Sequence, residues 1–358
     1  MPAPSSARLT IDLDALAHNY AVLRDLAPGA EAAPVVKADG YGLGAVPVAR
    51  RLWAEGARAF FVARLSEGEA LRAELGHPAT IYVLDGFTPD TGPRLAAANL
   101  TPVLCSRPQI EAASAFAAAE AMTAAIQVDT GMNRQGLTAA EIRDLAANPP
   151  RGLRVETIMS HLGSATDPAD PRSAAQLDAF AGVRSLFPEA RASFAASAGI
   201  ALGHVYHFDI VRPGISLYGG GPEERPDARL KAVATFEAPI LYVRQVGAGE
   251  MIGYGSKTIV EAESRVAVIA AGYADGLIRG TMGRSQAWFA GALRKVLIVT
   301  MDLIAIEIGE AEASPGDMVE LLGSHVLLDD LAAAAGTVAH ECLVRLGDRA
   351  ERVYLGAR

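Results

Sequence analysis

The chain has 358 residues, 51% hydrophobic and 20% charged, enough apolar material for two domains or one large barrel with an addition, and not the composition of a disordered chain. Its net charge of -9, from 32 basic and 41 acidic residues, argues against a surface built for nucleic acid or anionic lipid. No stretch reaches the length of a membrane span, "MPAPSSARLT" lacks the pattern of a secretory signal, and Cys105 and Cys342 are too few and too separated in sequence for a disulfide scaffold, so a soluble cytoplasmic protein is expected.

"ARLTIDL" opens as a strand. Leu13, Leu16, Tyr20 and Leu23 then recur every three or four positions and predict a helix with one buried stripe. From residue 11 to about 212 the chain alternates short apolar runs with longer stretches of helical spacing. The runs are "APVV", "AFFVA", "TIYVL", "TPVLC", "AAIQV", "VETIMS", "ASFAA" and "FDIV". Ser66 with Glu69, and Thr138 with Glu141, have the spacing of capping boxes at helix starts. This alternation implies a parallel sheet, and eight repeats predict a (β/α)8 TIM-like barrel over residues 12–230, with a doubly wound open sheet as the competitor. After about residue 230, "LKAVATFEAPILYVRQV", "SRVAVIAA", "RKVLIVTMDLIAIEI" and "DMVELLG" are strand-like runs with little helix between them. They predict a second, mostly β C-terminal domain over 231–358, which the N-terminal strand within 1–11 is expected to join.

Barrels carry their functional residues just after the strands. In "VVKADGYGLGA", residues 35–45, Lys37 precedes the glycines, whereas a Walker loop needs its lysine after them, and the glycine spacing is not that of a dinucleotide fold. A lysine desolvated at a barrel mouth suits a Schiff-base amine or a proton acceptor; the alternative is a lysine that only lays its stem along apolar surface. "VDTGMNRQG" brings Asp129 and Arg134 to the next candidate loop, where a planar guanidinium can hold a carboxylate or phenolate. "MSHLGSA" adds His161 without a second ligand at metal-binding spacing, so no metal is expected. "AASAGI" and "VRPGISLYGG" place Ser197, Gly214 and Ile215 after strands seven and eight, the usual phosphate site of such barrels, and Arg212 at the end of strand eight. An amine, a phosphate pocket and two arginines at one mouth fit pyridoxal 5'-phosphate.

"VVKADGYG", "DTGMNRQG", "MSHLGSA", "VRPGISLYG", "GYG", "GYADG" and "MD" follow one another in the order and approximate spacing of alanine racemases, and along essentially its whole length the chain resembles that family. The resemblance implies a fold-type III pyridoxal-phosphate enzyme, a head-to-tail homodimer with composite active sites, that interconverts L- and D-alanine and supplies D-alanine for peptidoglycan. It implies Lys37 as cofactor anchor and base for D-alanine, and Tyr254, contributed across the dimer, as base for L-alanine. Arg134 then corresponds to the arginine on the substrate carboxylate and cofactor hydroxyl, Met301 to a substrate-binding backbone position, and Tyr273 to a tyrosine at the active-site entrance. Tyr41, Ser197, Gly214 and Ile215 correspond to phosphate contacts, and Arg212, with His161 as its neighbour, to the residue facing the cofactor's ring nitrogen. Two bases are needed because racemisation removes a proton on one face and returns it on the other.

Three positions depart from the family pattern. Gln127 stands where many members have a lysine that becomes carbamylated, Ala196 where an asparagine commonly precedes the phosphate-site serine, and Asp348 near the place of a late tyrosine on the phosphate. The rival readings are a related racemase or decarboxylase of the same fold, and a pyridoxal-phosphate carrier built on the barrel alone. The carrier would have neither the β domain nor Tyr254.

Overall fold

A computed structural model of the chain describes residues 6–254 and 258–357. It divides into two compact units, one made of 19–40 and 44–217, the other of residues up to His18, Tyr41–Leu43 and those from Tyr218 onward. Strand β1 (Arg8–Asp12) leads into the helix Leu13–Leu26, in which Leu13, Leu16, Tyr20 and Leu23 are all buried as their spacing predicted.

The first unit is a closed parallel barrel. Its strands are β2 (Glu31–Ala32), β3 (Ala59–Val62), β4 (Thr80–Val83), β5 (Thr101–Leu104), β6 (Met122–Gln127), β7 (Leu153–Met159), β8 (Arg191–Ala196) and β9 (Ile210–Arg212). From β3 to β9 each pairs with its neighbour in sequence, β2 pairs with β9, and a parallel bridge between Val35 and Phe61 closes the ring. An open doubly wound sheet is thereby ruled out. All eight predicted runs take part, although the first contributes only its bridge, and its ladder lies slightly upstream at Glu31–Ala32. Inside, Ala33, Phe61, Tyr82, Val103, Ala125, Met159 and Ile210 pack together, so the barrel is filled rather than hollow. Phe61 and Tyr82 stack at 4.5 Å, and the Tyr82 hydroxyl meets Thr157 Oγ1 at 3.2 Å, so a large ring is buried without leaving its polar end unsatisfied.

One of the two capping predictions needs correction. Thr138 and Glu141 do cap the helix Ala139–Ala147 reciprocally. At the other site the helix starts at Leu65, and Glu67, not Glu69, accepts the Arg64 N–H. Glu69 instead pairs with Arg94. The helix begins too early for Ser66 to cap it, because Glu67 faces the free N–H groups of Ala63 and Arg64.

The second unit carries β10 (Ala234–Val246), β11 (Met251–Ile252), β12 (Thr258–Ile259), β13 (Ser264–Ile269), β14 (Gln286–Phe289), β15 (Ala292–Val299), β16 (Ile304–Glu307), β17 (Met318–Leu322) and β18 (Glu351–Leu355). Strands β10, β13, β16, β15, β14 and β17 form an antiparallel ring that returns to β10. β1 extends it, antiparallel to β10 and parallel to β18. The helices Leu328–Ala335 and Ala339–Val344 were not anticipated, since each is short and rich in alanine or interrupted by polar residues. No helix of the described residues is long and apolar enough to cross a membrane.

Thr138→Ala should cost about 1 kcal/mol in urea unfolding, the usual loss for a removed N-cap, whereas Ser66→Ala should stay within about 0.5 kcal/mol, as for an exposed residue that caps nothing.

Candidate active site

Lys37 emerges where Val36 N–H donates to Phe61 O at 2.9 Å, at the C-terminal end of the barrel's first strand segment. The next four residues, Ala38, Asp39, Gly40 and Tyr41, have φ of 53°, 54°, 62° and 57°, one complete left-handed turn. Three of them carry side chains, each costing roughly 1–2 kcal/mol in that region. Specific bonds hold the turn in place: Gly40 N–H to Val36 O at 2.9 Å, Gly44 N–H to Asp39 O at 2.8 Å, Ala45 N–H to Asp39 Oδ1 at 2.7 Å, and Ala38 N–H to Glu67 Oε1 at 2.8 Å. Gly42 follows at φ 81°, and a Cβ there would lie 2.8 Å from Leu343 O. Lys37 is half-buried, and burial first, then the charge of Arg134, lower its proton affinity, with Glu67 opposing them. Those are conditions for a neutral, nucleophilic amine.

Arg134 is exposed but sits on a stiff loop after β6. Asp129 accepts the N–H groups of Gly131, Met132 and Asn133 at 2.9, 2.9 and 3.1 Å. Burial works to raise the Asp129 carboxyl's pKa, but those bonds and Arg172 outweigh it and hold the group below the usual range. At the loop's base Leu137 N–H donates to Gln127 O at 2.9 Å, and Gly136, at φ 123°, leaves room for the Asp129 N–H. Gln127 is buried there.

Arg212 ends β9 and is 3% exposed. It donates to Ser193 Oγ at 2.6 Å, Ser160 O at 2.7 Å and Phe194 O at 3.3 Å, and lies 3.3 Å from His161 Nδ1. With Nδ1 accepting, a neutral His161 carries its proton on Nε2. Burial, followed by the like charge of Arg134, lowers the guanidinium's proton affinity to a pKa of about 9, which still leaves it cationic at neutral pH. The two arginine-bearing regions are tied together. Gln176 donates to Thr130 Oγ1 at 3.1 Å and to His161 O at 3.0 Å, and the Thr130 hydroxyl meets Ser160 Oγ at 2.8 Å.

Ser197 Oγ accepts from Gly214 N–H at 2.9 Å and Ser216 N–H at 3.3 Å, which gathers the loops after β8 and β9 around small residues, with Ile215 between the two donors. Ser216 Oγ is buried with no hydrogen-bond partner among the described residues, a polar atom suited to an anionic oxygen. The barrel unit therefore brings together Lys37, Arg134, His161, Ser197, Arg212, Gly214 and Ile215. Glu67, Ser160, Gln176, Ser193 and Ser216 complete the arrangement and were missed in the sequence, although Ser160 in "MSHLGSA", Ser193 in "ASFAA" and Ser216 in "VRPGISLYGG" lie in stretches already singled out.

The remaining expected residues belong to the other unit. Tyr41 is buried and stacks on Tyr218 at 4.5 Å, and burial pushes its phenol's pKa well up. Tyr273 N–H donates to Thr300 O and Ala274 N–H to Met301 O, so "GYADG" and "TMDL" lie side by side, and a Cβ on Gly272 would be 2.3 Å from Met301 O. Their side chains face solvent, as does Tyr254, which is 85% exposed on the turn after β11. Asp348 is fully exposed and 3.6 Å from Arg352. Among the described residues no cluster of three or more His, Cys, Asp or Glu side chains is arranged to hold a metal.

Residues 11–222 match the family model "Alanine racemase, N-terminal domain" and residues 233–354 "Alanine racemase, C-terminal domain". The alanine racemase of Methylobacterium nodulans is 44% identical over 99% of this chain and 98% of its own, and the catabolic alanine racemase of Agrobacterium fabrum is 41% identical over 98% and 92%. Among solved structures, Bartonella henselae alanine racemase with covalently bound pyridoxal phosphate superposes with a TM-score of 0.93 at 36% identity, covering 98% of this chain and 100% of that one. The biosynthetic alanine racemase of Pseudomonas aeruginosa gives 0.92 at 33% identity, covering 98% and 99%.

Arg134→Ala removes a positive charge that disfavours the ammonium form of Lys37, so it should move the Lys37 titration to higher pH. Competitive amine labelling of the cofactor-stripped protein, read by mass spectrometry, measures that midpoint. An unchanged midpoint would show that the guanidinium is too well screened to act on the lysine.

Proposed function

The chain belongs to the alanine racemase family, and from that footing we propose that it interconverts L- and D-alanine by a two-base mechanism with pyridoxal 5'-phosphate held at Lys37. The observation that carries the proposal is a half-buried lysine of lowered proton affinity at the same barrel mouth as a buried, cationic Arg212 and the Ser197–Gly214–Ser216 cradle.

The residues present fit the cofactor. The unpartnered Ser216 hydroxyl, the Ser197 hydroxyl and the Ile215 backbone would offer donors to a phosphate, with Gly214, its N–H held by Ser197 Oγ, leaving room for its oxygens, joined in the proposal by Tyr41. Lys37 would hold the aldehyde carbon covalently, and Arg212, braced by His161, would face the ring nitrogen. When bound, the conjugated ring withdraws electrons from the substrate's Cα and so makes its proton removable.

Lys37, as the neutral amine, would take the α-proton of D-alanine on one face while Tyr254 gives a proton on the opposite face, and for L-alanine the two exchange roles, Tyr254 taking the proton and Lys37 giving one. Arg134 grips the substrate carboxylate through its planar fork, Met301 offers its backbone, and Tyr273 stands at the entrance. Arg212 would offer the ring nitrogen a hydrogen bond without giving up its proton, since a guanidinium stays charged, which would moderate electron withdrawal and disfavour side reactions. A phenol serving as a base has to be shielded from bulk water. The exposure of Tyr254, Met301 and Tyr273 in the single chain therefore supports a homodimer in which one protomer completes the other's site. The D-alanine formed would supply peptidoglycan in a cytoplasmic setting.

In deuterated water the protein should convert L-alanine to α-deuterated D-alanine. Lys37→Ala should abolish both the cofactor's visible absorption and turnover, whereas Tyr254→Phe should keep the absorption and slow turnover by about a hundredfold or more. An intact absorption with neither exchange nor inversion would refute racemisation. A strain lacking the protein should need D-alanine for growth; one that instead fails only on alanine as carbon source would assign it to breakdown.

A further inference from the structure

We propose that Glu67 is a positioning residue for Lys37: one oxygen of its carboxylate caps its own helix, and the other holds closed the left-handed turn that presents the lysine amine. The proposal rests on the assignment of Lys37 as the base for D-alanine.

The two oxygens do different work. Oε2 accepts Ala63 N–H at 2.8 Å and Arg64 N–H at 3.1 Å, which is the ordinary capping of the helix Leu65–Leu75. Oε1 accepts Ala38 N–H at 2.8 Å, on a residue 29 positions away that immediately follows the lysine. A capping role alone does not call for that second bond. Ala38 is also where the strained backbone begins, and its N–H is the first of the turn, with no acceptor inside the turn itself. An ionised acceptor makes this bond stronger than a neutral one would.

Lys37 has one degree of support fixed by the barrel, through Val36 N–H to Phe61 O, and the other by this turn. If the turn relaxes toward ordinary backbone angles, the Cα–Cβ direction of Lys37 swings with it. A positioning error at a proton acceptor acts on the proton-transfer step far more than on substrate affinity. Glu67 also places a negative charge near the amine that partly offsets the positive charge of Arg134.

The test uses holoenzyme carrying Glu67→Ala or Glu67→Gln, with Glu69→Gln as control, since Glu69 lies on the same helix but pairs with Arg94. Hydrogen exchange read by mass spectrometry on the peptide spanning 36–45 should show one further amide exchanging about tenfold faster or more in Glu67→Ala, and no change in the control. In kinetics kcat should fall about tenfold with KM within about twofold. The isotope effect of α-deuterated D-alanine should rise relative to that of α-deuterated L-alanine, because only the step at Lys37 has been slowed. A merely structural loss of active protein would leave both isotope effects where they are. Glu67→Gln, which keeps the side chain's size and one acceptor oxygen, should give the same directional change more weakly. Unaltered exchange in the 36–45 peptide, or faster exchange with unaltered isotope effects, would overturn the proposal. Wild-type protein that does not racemise alanine would instead overturn the assigned reaction, and that outcome is read without any variant.

Discussion

Arg212 is a cation almost wholly removed from water, and none of its hydrogen-bond partners among the described residues, Ser193 Oγ, the carbonyls of Ser160 and Phe194, and His161 Nδ1, is an acid. A charge buried without a counter-ion is tolerated only when dipoles surround it closely, and this requirement fixes the ends of several strands at once. Ser193 and Phe194 come from β8 and Ser160 follows β7, so the guanidinium draws adjacent strand ends into one register. Ser193 passes the constraint on, since its hydroxyl can donate to Ile210 O while accepting from the arginine. The mouth is thus polar at its rim and apolar beneath, where Phe61, Tyr82 and Met159 fill the barrel.

The same positive potential explains the character of the neighbouring lysine. Burial and then the charge of Arg134 make the protonated form of Lys37 unfavourable, and the same two causes act on Arg212, so a ligand with negative charge relieves the mouth as a whole. An acidic protein overall can still hold an anionic cofactor, because the relevant field is set within the mouth and not by the net charge of -9.

The barrel was legible because burial on both faces forces its strands into short apolar runs, and such runs stand out between helices. Lys37 and Arg212 were legible because charged residues at the ends of those runs have few structural reasons to be there, whereas Arg134, in the loop beyond its run, stood out through the motif "DTGMNRQG". Glu67 and Gln176 were not, since their sequence context is that of ordinary helix surface, and only the fold shows that they reach loops far away in sequence. The left-handed turn was hidden for a related reason. Its glycine pattern signalled an unusual backbone, but Ala38, Asp39 and Tyr41 gave no sign that they share it, because tertiary hydrogen bonds rather than local preference impose the conformation. In the β unit, β14, β18 and the two late helices are too short for periodicity to separate them from loop.

The pairing of β1 bears on how the chain is made. Its Arg8 meets Glu237 across 229 positions of sequence, and its other neighbour, β18, lies near the far end of the chain. A ribosome releases this strand before the barrel unit, and both its partners after it. For that interval "RLTID" is an unpaired edge exposed to any other nascent strand, and the charges at its two ends, Arg8 and Asp12, are the features that discourage a wrong partner.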